Sequence, residues 1–220
     1  MPGDLPGGGR FLVSDRHGGD LRQAAPDAPG RRRSLVDLPW TTVRQVHGDR
    51  VVVVDHGPLA PGEEADALVT SLPGRAIAVL GADCALVGLA SPEGILAVAH
   101  AGWRGLHAGV LEATAGAMRS LGASRLSAVL GPCVHAECYE FGPVDLDAVA
   151  GRLGPSVRAT AASGAPALDL PAGVRAALAL AGVDGVDDVG GCTACSARWF
   201  SHRARRDEGR HALVVWRDAP

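Results

Sequence analysis

Residues 76–105, AIAVLGADCALVGLASPEGILAVAHAGWRG, decide the fold because three apolar runs follow one another with only short polar breaks. The first run, residues 76–80, is continuous and predicts a strand. Residues 85–90 and 95–99 flank the turn-forming tetrapeptide Ser-Pro-Glu-Gly at 91–94, which predicts a hairpin. Polar side chains that can carry chemistry stand where these predicted strands end.

The segments on either side combine strand and helix patterns. Before the stretch, residues 41–46 and 51–54 predict a hairpin whose turn contains His47, and residues 65–70 predict a further strand. After it, apolar residues between 106 and 121 recur at helical spacing. The remaining predicted elements are helices at 144–153 and 171–181 and strands at 126–130, 186–189 and 211–216.

This order of elements predicts the α/β (α+β) class, as a layered sandwich with a mixed β-sheet flanked by helices. Residues 1–39 have little pattern beyond the apolar run 11–13, so we expect a loosely ordered N-terminal segment with one edge strand. We expect residues 40–220 to form a single domain.

The composition excludes several classes of protein. The formal net charge is −3 and the basic residues form only two short clusters, which is too small a footprint for nucleic-acid binding. No apolar run reaches the ~18 residues of a membrane-spanning helix, and the first residues lack a signal-peptide pattern. We therefore expect a cytoplasmic protein that binds neither nucleic acid nor membranes. Its 5 cysteines favour free thiols, metal ligands or a nucleophile over a disulfide framework.

Three residues at predicted strand ends form the main candidate site: His47, Cys84 and His100. Their separation along the chain is too long for a local zinc motif but suits a site assembled from several loops. Two imidazoles and a thiolate are favourable zinc ligands, and three protein ligands leave the fourth position that catalytic zinc needs. The same residues also suit nucleophilic catalysis, in which a histidine activates Cys84 and Asp83 or Arg104 tunes the thiolate. Spacing does not separate the two interpretations.

A second candidate site lies at residues 100–105, His-Ala-Gly-Trp-Arg-Gly, just before a helix that we expect to begin near Leu106. Backbone N–H groups at a helix start can bind anions, and Arg104 adds a charge that pairs with phosphate or carboxylate. Trp103 can stack on a planar base or can anchor the turn as a core aromatic residue. The stretch therefore predicts an anion site, with two roles open for its tryptophan.

Several short motifs occur in an order that resembles one protein family. They are Arg-Gln-Val-His-Gly at 44–48, Ala-Asp-Ala-Leu-Val-Thr at 65–70, Ala-Asp-Cys at 82–84, His-Ala-Gly-Trp-Arg-Gly at 100–105, Gly-Pro-Cys at 131–133, Cys-Tyr-Glu at 138–140, Cys-Thr-Ala-Cys at 192–195 and Phe-Ser-His-Arg at 200–203. Together they are similar to the YfiH family, also called laccase-domain or multicopper polyphenol oxidase proteins. The resemblance implies a single YfiH-like catalytic domain over residues 40–220, with a cysteine-hydrolase-like fold.

The resemblance also implies a chemistry and a ligand set. It places the metal ligands on His47, Cys84 and His100, with zinc, or alternatively copper, as the cofactor. Family members are described as phosphorolysing adenosine, inosine and methylthioadenosine to free base and ribose 1-phosphate, and as deaminating adenosine. The resemblance thus implies an enzyme, a zinc-dependent purine nucleoside phosphorylase whose partners are a purine nucleoside and phosphate. A hydrolase that edits peptidoglycan precursors and a copper-dependent polyphenol oxidase are the alternatives.

Four residues beside the three ligands are expected to contact substrate or phosphate: Arg104, Trp103, Asp83 and Arg203. Arg104 is also expected to take part in catalysis, as the main anion contact. The chain departs from the family pattern at His202, where the family has tyrosine, but no departure touches the three ligands. We expect a monomer or a weak homo-oligomer.

The other cysteines are expected to be buried thiols. Cys192 and Cys195 form a Cys-x-x-Cys pair, which could be redox-active or half of a zinc site. A structural zinc needs a second ligand pair, and no nearby Cys-x-x-Cys supplies one. Cys133 and Cys138 receive the same interpretation.

Overall fold

The computed structural model describes residues 2–55, 57, 59–183 and 185–219. In chain order its strands are β1 (Gly3–Leu5), β2 (Gly9–Val13), β3 (Trp40–Thr41), β4 (Val51–Val53), β5 (Ala67–Thr70), β6 (Arg75–Gly81), β7 (Ala85–Ala90), β8 (Leu96–Ala101), β9 (Ser127–Leu130), β10 (Arg158–Thr160), β11 (Pro166–Leu168), β12 (Val186–Asp188) and β13 (His211–Arg217). The helices are α1 (Ala28–Leu35), α2 (Trp103–Ala108), α3 (Val110–Ser120), α4 (Pro143–Leu153), α5 (Leu170–Leu180) and α6 (His202–Arg205).

Two mixed sheets contain most of the strands. The smaller has the order β1-β2-β13-β6-β3, and the larger has the order β12-β9-β7-β8-β5-β4. The pairs β3–β6, β4–β5 and β9–β12 are parallel, and the other pairs in these sheets are antiparallel. The predicted hairpin in the deciding stretch is confirmed as β7–β8, and β10–β11 form a separate two-stranded ribbon.

The two sheets pack face to face, and helices cover the outer face of the larger one. Ile77 and Val79 of β6 lie in the layer between the sheets, while Ala76 and Ala78 lie in a smaller cluster on the opposite face. Because the middle of β6 is buried on both faces, residues 76–80 are continuously apolar. Helices α2, α3 and α5 pack on the larger sheet over the largest cluster of buried residues, and α4 packs on α2 and α5. The predicted mixed α/β sandwich is confirmed, with two packed sheets where a single mixed sheet was expected.

The N-terminal segment is ordered, which corrects the expectation for residues 1–39. Residues 9–13 form β2, an interior strand that pairs with β1 on one side and with β13 on the other. Leu21, farther along the segment, is fully buried. The segment is ordered although its apolar run is short, because β2 pairs with β13 near the far end of the chain.

The predicted hairpin around His47 does not form. β3 ends at Thr41 and pairs with β6 in the smaller sheet, whereas β4 pairs with β5 in the larger sheet. Residues 42–50 therefore connect the two sheets, and His47 lies in this connection. The helix expected from residue 106 begins at Trp103 instead, and Gly109 with φ of 102° breaks it into α2 and α3.

The helices are short. The longest have 11 residues, and in the described part of the chain none combines the length and hydropathy that crossing a bilayer requires. Their apolar faces instead pack into the core over the larger sheet, to which α3 contributes Leu111 and Met118.

His211 is a titratable residue inside this framework. It opens β13, pairs with Gly81 of β6, and is fully excluded from solvent. Burial lowers its pKa to about 4; the charge of Asp83 opposes this shift and that of Arg210 adds to it. The folded protein therefore holds His211 in its neutral form.

We expect acid to destabilise the protein through His211 between pH 6.5 and about 4. The folded-state pKa lies below the unfolded value, so the unfolded chain binds more protons in this window and stability falls as pH falls. Between pH 7.5 and 5 the loss from this group is about 2 kcal/mol. Urea unfolding should show that the wild type loses this much more than His211→Gln. His107→Gln, the same change at an exposed histidine, should follow the wild type; equal losses in wild type and His211→Gln would contradict the assignment.

Candidate active site

The loop that carries His47 is held by polar side chains from distant parts of the chain. Gln45 accepts the N–H of Leu80 at 2.8 Å and donates to its carbonyl at 2.7 Å, which ties the loop to β6. The Asp66 carboxylate accepts three successive backbone N–H groups, of residues 46–48, at 3.1, 2.9 and 2.7 Å. These bonds hold His47 in a left-handed backbone conformation, with φ of 63°.

Asp66 also fixes the second imidazole. Its Oδ1 lies 2.8 Å from Nδ1 of His100, and both residues are buried. Burial raises the pKa of Asp66, but hydrogen bonds from His100 and the Gly48 N–H outweigh this, so the pKa is lowered and the carboxylate stays charged. A carboxylate on Nδ1 leaves Nε2 of His100 for a metal and orients the ring. Asp66 is not among the site residues predicted from the sequence, although an acidic residue at the start of an apolar strand is a signal.

Cys84 follows Asp83 and precedes β7, with its Sγ 3.8 Å from Nε2 of His47. Burial raises the pKa of Cys84, but the charge of His100 and hydrogen bonds from His100 and His47 outweigh it and lower the pKa to about 6. Burial lowers the pKa of His100, whereas the Cys84 thiolate and Asp66 raise it to about 9. The pair therefore favours a thiolate, the form that binds metals and attacks electrophiles.

The structure brings together the three residues that sequence analysis selected. The potential donor atoms of His47, Cys84 and His100 all lie within 4.8 Å of one another, and the two imidazole rings are in edge-to-face contact at 4.8 Å. Ligand atoms at zinc distances of about 2.0–2.3 Å in a tetrahedron are separated by about 3.3–3.8 Å, so only a small contraction is needed. Nitrogen and thiolate donors also match zinc chemically. Their role as metal ligands stays a prediction.

Gly102 packs against two of the three candidate ligands. A Cβ atom at this position would lie 3.0 Å from Sγ of Cys84 and 3.1 Å from Cδ2 of His47. Only a residue without a side chain leaves both ligands undisturbed.

We expect Gly102→Ala to weaken zinc binding because the added methyl group displaces Cys84 and His47. The loss should resemble that from removing an outer-shell partner, about 10–100-fold in affinity. Competition with a zinc chelator measures it. Gly116→Ala, on α3 with no heavy atom within 4 Å of the added Cβ, is the matched control. Wild-type affinity in Gly102→Ala would mean that the ligands do not close around a metal as proposed.

Asp83 has a positioning role in the structure. Its Oδ1 accepts the hydroxyls of Thr193 at 2.7 Å and Ser201 at 2.6 Å, and its Oδ2 accepts the backbone N–H of Arg203 at 2.7 Å. The residue is buried, with φ of 104°. The three bonds fix the segment 193–203 beside Cys84. The predicted contact between Asp83 and substrate stays a prediction, and the carboxylate is already occupied.

A cavity of about 740 Å³ opens in front of the candidate ligands, within the size range of small-molecule sites. His47, Cys84 and His100 line it together with Tyr139. Its wall also contains five arginines: Arg22, Arg32, Arg44, Arg203 and Arg210. Glu63 and Asp83 also line it, so arginines outnumber carboxylates five to two, and the cavity joins a candidate metal centre to an arginine-rich wall that favours an anionic ligand.

Three arginines of this wall, Arg32, Arg203 and Arg210, form no ion pair with a carboxylate of the described residues, and Arg203 is the exposed one among them. Its guanidinium lies 4.7 Å from the centroid of the Tyr139 ring and donates to the carbonyl of Glu140 at 3.1 Å. No carboxylate among the described residues forms an ion pair with it. Arg22 and Arg44, by contrast, pair with acidic side chains close to them in the structure. The guanidinium of Arg203 thus keeps its charge available to the cavity.

Arg104 and Trp103 do not line this cavity. Trp103 packs edge-to-face on Phe141 at 5.3 Å and against the main core cluster, which favours the core-aromatic interpretation. Arg104 is exposed and stacks over the Trp103 ring at 4.5 Å. The helix they begin, α2, has 6 residues. Contact of these two residues with substrate or phosphate stays a prediction, and Arg203 is the predicted anion contact that does lie in the cavity.

Comparison with known proteins places the chain in a family. A crystal structure of a Neisseria meningitidis protein of the DUF152 family matches with a TM-score of 0.84 at 29% identity, over 100% of this chain and 99% of that chain. Two proteins named purine nucleoside phosphorylase are similar in sequence. The one from Streptomyces coelicolor is 41% identical over 98% of both chains, and the one from Mycobacterium tuberculosis is 39% identical over 94% of this chain and 84% of its own length.

The family profile described as multi-copper polyphenol oxidoreductase laccase matches residues 16–218. The match confirms the resemblance that the order of the motifs indicated. The chain belongs to this laccase-like YfiH family.

Proposed function

We propose that the protein is a zinc-dependent purine nucleoside phosphorylase. It converts adenosine or inosine and phosphate to free base and ribose 1-phosphate, and methylthioadenosine and phosphate to adenine and methylthioribose 1-phosphate. One observation carries the proposal. The cluster of His47, Cys84 and His100 lines the same cavity as five arginines. The names of the relatives from Streptomyces coelicolor and Mycobacterium tuberculosis support the same reaction.

The residues of the cavity have separate tasks in this reaction. His47, Cys84 and His100 would hold the zinc ion, which supplies a Lewis acid when bound. Arg203 binds phosphate, and its cation brings the anion next to the sugar. A phosphate oxygen attacks C1′ and the bond from C1′ to the purine nitrogen breaks. The base leaves with the electron pair and takes up, directly or through water, the proton that hydrogen phosphate gives up. Holding both reactants in one cavity lowers the barrier further, because their orientation is fixed before the reaction begins.

The test is release of free base from inosine in the presence and absence of phosphate. We expect hypoxanthine and ribose 1-phosphate in equal amounts, only with phosphate, and loss of both after zinc is removed by a chelator. Cys84→Ala protein, purified in the same way, controls for phosphorylases of the expression host. Base release that ignores phosphate would identify a hydrolase, and no release from any of the three nucleosides would end the proposal.

We expect Arg203→Gln to raise the KM for phosphate by about 10–100-fold, because a charge-assisted hydrogen bond contributes about 1.5–3 kcal/mol. The backbone N–H that bonds Asp83 is unaffected by this substitution. Arg104→Gln tests the alternative phosphate site, because the sequence motif predicts Arg104 as the main anion contact. A larger effect of Arg104→Gln than of Arg203→Gln, in steady-state kinetics with phosphate varied, would move the phosphate site to the start of α2.

The other activities give different products in the same assays. Adenosine deamination would release ammonia and inosine without phosphate, and editing of a peptidoglycan precursor would hydrolyse a UDP-linked muramyl amino acid. Copper-dependent phenol oxidation would require copper in the purified protein. Blue-copper centres use a weak axial ligand such as methionine, but Met118 is buried in α3 within the core cluster. Met1 lies outside the described residues.

A further inference from the structure

A second cluster of metal-binding side chains lies outside the candidate active site. It combines Cys192 and Cys195 with Glu137 and Cys138, and one donor atom from each residue lies within 4.8 Å of those of the other three. The Sγ atoms of Cys138 and Cys195 are 3.4 Å apart, and Sγ of Cys195 is 3.5 Å from the Glu137 carboxylate. Sequence analysis found no second ligand pair for the Cys-x-x-Cys motif, and the structure supplies one from a segment more than fifty residues away.

The two segments are already joined by their backbones. Cys133 and Cys192 form a parallel bridge, and the N–H of Thr193 donates to the carbonyl of Cys133 at 3.0 Å. The N–H of His135 points at Sγ of Cys192, at 3.4 Å. A backbone donor to sulfur stabilises a thiolate, as ligands in metal sites require. The cluster is therefore prearranged before any ion enters.

Burial and donor type specify the kind of ion. Cys195 and Glu137 are exposed, so an ion can enter from solvent. Cys192 is buried and can bind the ion on the side that faces the protein interior. A Cys-x2-Cys turn is usual in structural zinc sites, and thiolates with one oxygen donor suit zinc better than hard cations. Four protein donors close the coordination shell and leave no open position for a reactant.

We propose that Glu137, Cys138, Cys192 and Cys195 form a second, structural zinc site. The ion clamps the segment 192–195 onto the 133–138 segment. Thr193 lies within the clamped segment and Ser201 follows it along the chain, and the hydroxyls of both hold Asp83 beside Cys84. The second zinc therefore supports one wall of the cavity without touching a reactant.

The first experiment counts zinc per chain in protein purified under reducing conditions. We expect two equivalents in the wild type and one in Cys195→Ser, whose side chain is exposed and whose loss should not prevent folding. Cys133→Ala removes a thiol that belongs to neither donor set and should keep two equivalents. One equivalent in the wild type, unchanged in Cys195→Ser, would overturn the proposal.

The second experiment isolates the new site in Cys84→Ala protein, which lacks a ligand of the first site. A chelator should remove the one remaining equivalent and lower the Tm, because zinc binding to the folded chain stabilises it. Glu137→Gln in the same background should release that zinc faster. Absence of zinc in Cys84→Ala, or a disulfide between Cys138 and Cys195 in place of the ion, would refute the site. Neither measurement depends on phosphorolysis, so either proposal can fail alone.

Discussion

The Cys84→Ala variant is expected to lose one equivalent of zinc and more than about 100-fold in kcat/KM for inosine. Loss of an outer-shell partner alone lowers metal affinity or activity about 10–100-fold, and loss of a ligand should cost more. The charge of Cys84 is also coupled to that of His100, since the thiolate and the imidazole each shift the other's pKa. Zinc analysis and steady-state kinetics measure the two losses.

A companion substitution separates a ligand from a nucleophile. Cys84→Asp replaces the thiolate with a carboxylate, which binds zinc but cannot form an S-glycosyl intermediate with the sugar. If Cys84 is only a ligand, Cys84→Asp should recover zinc and part of the activity that Cys84→Ala lacks. Zinc recovery without activity would assign the nucleophilic role instead. Wild-type activity in Cys84→Ala would show that the three-residue centre is not used in the reaction.

The strands of the deciding stretch were predictable because they are buried on both faces. In β6, Ile77 contacts one cluster and Ala78 another, so no polar residue interrupts the run. The connection around His47 was not predictable, because its conformation depends on Asp66 and Gln45 bonds to distant positions. The valines at 51–54 follow a turn-like sequence, and this local pattern is typical of a hairpin. The long-range bonds of Asp66 and Gln45 instead place β3 and β4 in different sheets.

In the candidate site too, the residue types were predictable from the sequence and their long-range hydrogen bonds were not. His47, Cys84 and His100 stand at the ends of predicted strands or in a motif, and their residue types make them candidate ligands. Local sequence carries no sign that Asp83 is occupied by Thr193 and Ser201, which lie more than a hundred residues away. For the same reason, a Cys-x-x-Cys pair without a visible partner was interpreted as buried thiols.

Asp66 joins both histidines of the centre, so its replacement should affect zinc binding and folding together. We expect Asp66→Asn to lower zinc affinity about 10–100-fold, because the neutral amide no longer orients and charges the His100 imidazole. Asp66→Ala should in addition destabilise the zinc-free protein by about 3–5 kcal/mol. It removes the partner of a buried histidine and leaves the N–H groups of residues 46–48 without their acceptor.

The two effects are measured separately, by chelator competition for zinc affinity and by urea unfolding with the metal removed for stability. Removing the metal matters because bound zinc would add its own stabilisation to the folded state. Asp187→Asn, the same change at an exposed aspartate of β12, should match the wild type in both measurements. If Asp66→Asn binds zinc as tightly as the wild type, the Asp66–His100 bond does not support the metal centre. Asp66 would then act only on the loop of His47.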